Sequence, residues 1–206
     1  MNALALPLAE RVRRAVRGLD DPPSSPGWNH AEIADLLGEV PLKLAAVLVG
    51  IVERPQGLSI LLTQRTEQLA KHAGQISFPG GAIEPDDASA VAAALRETHE
   101  EVGIATHLVQ PFGYLDCFET VSGFSVTPVV AEIDAGYVAL PDPREVADTF
   151  EVPLAFFLDP VNLRRRRVSY GGRPRDILEF PYGGRNIWGA TAAMLLSLVR
   201  RLEAAT

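Results

Sequence analysis

The chain reads as an α/β sandwich of one domain, and three features of the sequence predict it. Residues 42–53 (LKLAAVLVGIVE) and 58–65 (LSILLTQR) are short apolar runs joined by Arg54, Pro55, Gln56 and Gly57, the pattern of a β-hairpin or of two neighbouring core strands. An Ala-rich stretch, 87–102, follows the Gly80-Gly81 pair with high helix propensity. The chain closes on an amphipathic stretch, 185–203, that predicts a long helix.

The other elements follow in order. The first nineteen residues, MNALALPLAERVRRAVRGL, predict a short amphipathic helix, and 20–28 (DDPPSSPGW) a loop before a second helix at 30–37. Strands are expected at 107–118 and 124–133, a turn-rich loop at 141–144 and a short helix at 152–157. A late hairpin should join 161–170 to 176–180 across Gly171-Gly172. Asp86 or Asp87 is placed to cap the start of the Ala-rich helix, and Gly103 sits where a left-handed C-terminal cap belongs. No internal repeat is visible. One domain over 1–206 is expected, with 1–40 a helical extension and 41–206 the core.

Composition limits the function. Hydrophobic residues make up 47% and charged residues 22%, which suits a globular chain and not a disordered one. A net charge of -7 and a pI near 5.1 argue against broad binding to nucleic acid or to an acidic membrane surface. No apolar run approaches the ~20 residues that span a bilayer, and the N-terminal apolar residues precede the arginines, the reverse of a secretory signal. A cytoplasmic location is therefore expected. Cys117, the only cysteine, allows no intrachain disulfide and reads as a small buried hydrophobe.

The chemistry concentrates on the Ala-rich helix. At about 100° per residue, Val91, Leu95, Thr98 and Val102 share a side that should pack on the sheet. Glu97, Glu100 and Glu101, at i, i+3 and i+4, converge on roughly the opposite side. Such a triad is either a solvated helix face or a site for a divalent cation that relieves the mutual repulsion, and oxygen ligands suit Mg2+ or Mn2+.

The surrounding residues decide between these. The stretch 81–104, GAIEPDDASAVAAALRETHEEVGI, resembles the Nudix box, with Arg96, Glu97, Glu100, Glu101, Gly103 and Ile104 matching its second half position by position. The first half departs: one extra residue lies between Gly81 and Arg96, Asp86 or Asp87 replaces the early glutamate, and Thr98 stands at a bulky aliphatic position. Ahead of it, 61–81 (LLTQRTEQLAKHAGQISFPGG) is similar to the extra motif of the coenzyme A pyrophosphatase branch of Nudix hydrolases, in which an extra box residue is also habitual. Thr66 there replaces a serine and keeps its hydroxyl, and Ala70 replaces a frequent arginine.

The resemblance implies a Nudix-type α/β/α sandwich with a mixed sheet between helices, and hydrolysis of coenzyme A to 3′,5′-ADP and 4′-phosphopantetheine, with Mg2+ or Mn2+ as cofactor. It implies Glu97 and Glu101 as principal metal ligands, with Glu100 completing the site. Arg96 is expected to orient a glutamate rather than touch substrate. Gly80 and Gly81 permit a tight turn beside the site. Glu145 is the preferred distant general base, Glu119 the second, and each could equally be an ordinary loop charge. Arg65, Lys71 and His72 are candidates to receive the substrate's phosphates. Lys71 reads equally as a surface charge, and His72 as a residue that fixes its loop. The run Arg164 to Arg167 reads first as a charged edge strand, with contact to a 3′-phosphate the lesser reading. Two other functions stay open: a Nudix hydrolase of ADP-ribose, a dinucleotide or a nucleoside triphosphate, and a non-catalytic nucleotide-binding module. The N-terminal helices could cover the sheet, shape the pocket or mediate a homodimer.

Overall fold

The computed structural model describes residues 7–38, 40–67 and 73–205. The sheet is built around β1 (Lys43–Arg54), whose alternating side chains serve two cores at once. Ala45, Val49 and Ile51 face one cluster, and Ala46, Leu48 and Val52 face the other. That is the period-2 signature of a strand buried on both faces, and each fully buried Leu or Val is worth roughly 1.5–3 kcal/mol.

β1 forms the expected hairpin with β2 (Gly57–Arg65), but the two pair directly only where residues 51–54 face 57–60. Beyond that they splay apart. β3 (Ile76–Ser77) lies on β2 and β4 (Gly80–Ala82) lies on β1, so the wedge is filled by the Phe78-Pro79 corner. Gly80 is there at φ +153, and a side chain on it would lie 2.4 Å from the Ala46 carbonyl oxygen and 2.6 Å from the Val47 Cα. Only glycine lets these backbones approach so closely.

On its other edge β1 runs parallel to β7 (Phe124–Ile133), the parallel pair that makes the sheet mixed. β5 (Val109–Tyr114) and β6 (Phe118–Glu119) pair antiparallel with β7. β8 (Val146–Pro153) covers the free edge of β2. α3 (Ala90–Val102) packs on one face, with Ala93, Ala94 and Val102 in the core. α1 (Leu8–Ala15), α4 (Leu154–Leu158) and α5 (Gly189–Ala204) pack on the other. The α/β/α sandwich with a mixed sheet is thus the observed architecture. A small sheet of β9 (Arg164–Tyr170), β10 (Arg173–Tyr182) and β11 (Arg185–Trp188) joins the second core through Phe180 and Ile187. The ring of Phe180 meets that of Phe157 edge-on at 5.2 Å.

Three expectations are corrected. The last helix begins at Gly189, because the left-handed glycines 183 and 184 turn residues 185–188 back onto β10 as a strand. α2 spans only His30–Ile33, shorter than the expected 30–37. The acidic helix starts at Ala90, and its cap is Ser89, whose hydroxyl accepts the Ala92 amide at 3.2 Å. Gly103 does occupy the left-handed cap at φ 71. Among the described residues no helix is long and apolar enough to cross a membrane.

Candidate active site

α3 brings its glutamates beside the Gly80-Gly81 corner, but not on one solvated face. Glu101 is 3% exposed, turned toward β4. The Gly80 amide donates to its Oε2 at 3.0 Å and the Arg65 guanidinium to its Oε1 at 3.2 Å. Burial pushes its pKa up to about 7, against the opposing pull of Gly80 and Arg65 and with added repulsion from Glu97 and Glu145. Glu97 is also raised, first by burial, and its carboxylate lies where Gly81 lacks a side chain. A Cβ on residue 81 would sit 2.4 Å from a Glu97 oxygen, so glycine there makes room for the acid. Glu100 stands apart, its side chain 56% exposed.

Arg96 ties these acids together. Its Nη1 donates to Glu97 and to Glu100, both at 3.0 Å, and its Nη2 to the Ala82 carbonyl at 3.1 Å. Two further bonds, at 3.1 and 2.8 Å, go to the two oxygens of Asp87. Asp87 therefore does not cap the helix as expected; it forks onto Arg96, which holds its pKa below the ordinary carboxylate range. Thr98 is fully buried and satisfies its hydroxyl on the Ala94 carbonyl at 2.7 Å, which explains how a polar residue fills an aliphatic position.

The loop 140–145 supplies the fourth acid. Leu140 and Asp142 donate their amides to the Val102 and Glu101 carbonyls at 2.8 and 3.0 Å, filling acceptors that a helix end leaves open. The loop ends on Glu145, whose charge raises both Glu97 and Glu101. Glu119 is elsewhere. It is 3% exposed and bound by the Gly27 amide at 3.0 Å and the His30 ring at 2.6 Å, so it anchors the N-terminal segment instead of facing the box. Lys71 and His72 lie outside the described residues. In the exposed strand β9, Arg166 pairs with Glu179 and Arg167 with Asp176, as a charge-guarded edge would. Cys117 is buried.

Among the described residues no three acidic or imidazole side chains already sit together in a cation-binding cluster. Arg96 holds Glu97 and Glu100, while Arg65 holds Glu101. The donor chemistry nevertheless fits a hard cation. Glu97, half-buried, and Glu101, buried, lie one helical turn apart, and both are raised chiefly by burial; such carboxylate oxygens are the ligands Mg2+ and Mn2+ prefer. Sequence reasoning missed the buried pose of Glu101, the Asp87 fork and the tie between the loop and the helix end. The turn-rich residues 141–144 announced the loop itself, but not its attachment to α3.

Residues 42–169 match the model of the NUDIX domain. The protein described as "Uncharacterized Nudix hydrolase NudL" from Escherichia coli strain K12 is 45% identical over 165 residues, covering 77% of this chain and 82% of that one. Its counterpart in Klebsiella pneumoniae is 45% identical over 167 residues, covering 78% and 83%. Among solved structures, a MutT/nudix family protein from Enterococcus faecalis aligns at 17% identity and TM-score 0.49, over 82% of this chain and 64% of that one. The Nudix hydrolase RenU from M. smegmatis aligns at 18% and 0.48, over 68% and 79%. With Arg96, Glu97, Glu100 and Glu101 of the box on α3 and the family model covering more than half of its length, the chain belongs to the Nudix family of hydrolases.

Proposed function

We propose that the chain hydrolyses the diphosphate bond of coenzyme A or its derivatives, giving 3′,5′-ADP and 4′-phosphopantetheine, as one Nudix domain (41–206) behind an N-terminal extension (1–40) in the cytoplasm. The observation that carries this reading is the burial of Glu101 between the Gly80 amide and Arg65, so that the box acid and the LLTQR…GQISFPGG stretch meet at one glycine corner.

A diphosphate carries charge that repels an incoming water, so the site has to neutralise charge and orient that water. Glu97 and Glu101 would hold Mg2+ or Mn2+, with Glu100 as a further ligand. When bound, the ion polarises a phosphoryl oxygen and acidifies water. Arg65 is the one described cation of the 61–81 motif at the acids, and its fork can pass from Glu101 to a substrate phosphate. Glu145, exposed at the rim, accepts the proton of the attacking water, while the departing phosphate oxygen is protonated from solvent. Arg96 keeps Glu97 in place from behind.

A substrate panel of coenzyme A, acyl-coenzyme A, NADH, ADP-ribose and nucleoside triphosphates, with Mg2+ or Mn2+, tests the reading. Coenzyme A compounds are expected to lead by at least tenfold in kcat/KM. ADP-ribose far ahead would move the chain to another Nudix activity, and no turnover at all would leave a nucleotide-binding module.

A further inference from the structure

The hydroxyl at residue 66, kept where the motif has serine, is unused by the chemistry above. Thr66 leaves the end of β2 and is buried, 7% exposed. Its amide donates to the Glu145 carbonyl at 3.0 Å, and its Oγ1 donates to the Arg144 carbonyl at 3.3 Å. Two successive carbonyls are thus anchored on one residue. That fixes the peptide plane between them, and with it the direction in which Glu145 leaves the backbone.

The rest of the loop is braced to match. Asp142 accepts from the Arg144 amide at 2.9 Å and from its guanidinium at 3.0 Å. The amides of Glu145 and Val146 return to the Asp142 carbonyl at 3.0 and 2.8 Å. At its other end the loop hangs from the Glu101 and Val102 carbonyls of α3. Glu145 is therefore referenced to α3 on one side and to β2 on the other.

We propose that Thr66 is a positioning residue that acts through Glu145, its hydroxyl aiming that carboxylate at Glu97 and Glu101; the proposal rests on the reading of Glu145 as the base. Any residue but proline supplies the amide bond, whereas the second one needs the side-chain hydroxyl of serine or threonine. Misplacement of a reacting group by an ångström costs up to about a hundredfold in rate, and one lost hydrogen bond moves a loop by less, so roughly a tenfold loss is expected.

The test compares Thr66→Val, Thr66→Ser, Glu145→Gln and the double variant Thr66→Val/Glu145→Gln on whichever panel compound the wild type turns over. Thr66→Val should lower kcat about tenfold with KM within about twofold, Thr66→Ser should restore it, and the valine should cost nothing more once Glu145 is glutamine. Hydrogen exchange across 143–146 should quicken in the valine variant and not in the serine one. If valine folds poorly, Thr66→Ala is expected to show the same pattern. Losses that multiply in the double variant would overturn the role of Thr66 while leaving Glu145 as base. Wild-type turnover in Glu145→Gln would remove both, and unchanged loop exchange in Thr66→Val would remove the tether itself.

Discussion

Glu101→Gln should lose roughly a thousandfold in kcat while melting, in the presence of a chelator, no lower than the wild-type protein. The two effects share a cause. Glu101 is held almost out of water, with the Gly80 amide and Arg65 as its hydrogen-bond partners among the described residues, so its ionised form is costly. Without a bound cation its folded pKa of about 7 lies above the value of 4.5 for a free glutamate, so folding is opposed as pH rises between the two. A shift of this size corresponds to about 3 kcal/mol, fully present above pH 7 and absent below about pH 4.5. Glutamine keeps the shape without the charge. The variant's advantage in Tm should therefore be widest above pH 7 and shrink on acidification. A variant that turned over normally would remove Glu101 from the chemistry, and a Tm that fell steeply at pH 8 would contradict its status as a strained acid.

Arg96→Leu should be damaging in the opposite way, losing stability and activity together. One guanidinium satisfies Asp87, Glu97, Glu100 and the Ala82 carbonyl. Its removal strands a half-buried glutamate next to Glu101 and unties the middle of α3 from β4 and from Asp87. Loss of a charge from a network of this kind is among the few changes that destabilise strongly. The Tm is expected to fall by about 5–10 °C and kcat by about a hundredfold. Arg96→Lys should recover part of the Tm, because a point charge reaches one or two of those acceptors but cannot fork onto Asp87. A leucine variant with wild-type Tm and kcat would show that the network is a surface accident.

The hairpin of β1 and β2 could be read in advance because both signals, a strand-length apolar run and a Gly-containing turn, are local. The end of α3 was equally readable from Gly103. What failed was what depends on tertiary partners. Residues 185–188 share an amphipathic pattern with the helix after them, and only the left-handed glycines before them make a strand. Helical spacing put Glu97, Glu100 and Glu101 together. It could not say that β4 would close over Glu101 and leave Glu100 in water, because burial is decided by an element ten or more residues away. Glu119 misled for the same reason: a loop acid and a buried anchor look alike until the Gly27-His30 segment is seen on it. The parallel pairing of β1 with β7, about 80 residues apart, has no local signature at all.

The most direct measurement is mass-spectrometric product analysis of coenzyme A incubated with the wild-type protein, with Mg2+ or Mn2+ and separately with a chelator. The account predicts 3′,5′-ADP and 4′-phosphopantetheine in equal amounts with the cation, and neither with the chelator. Equal turnover in the chelator, or cation-dependent cleavage at any other bond, would contradict it.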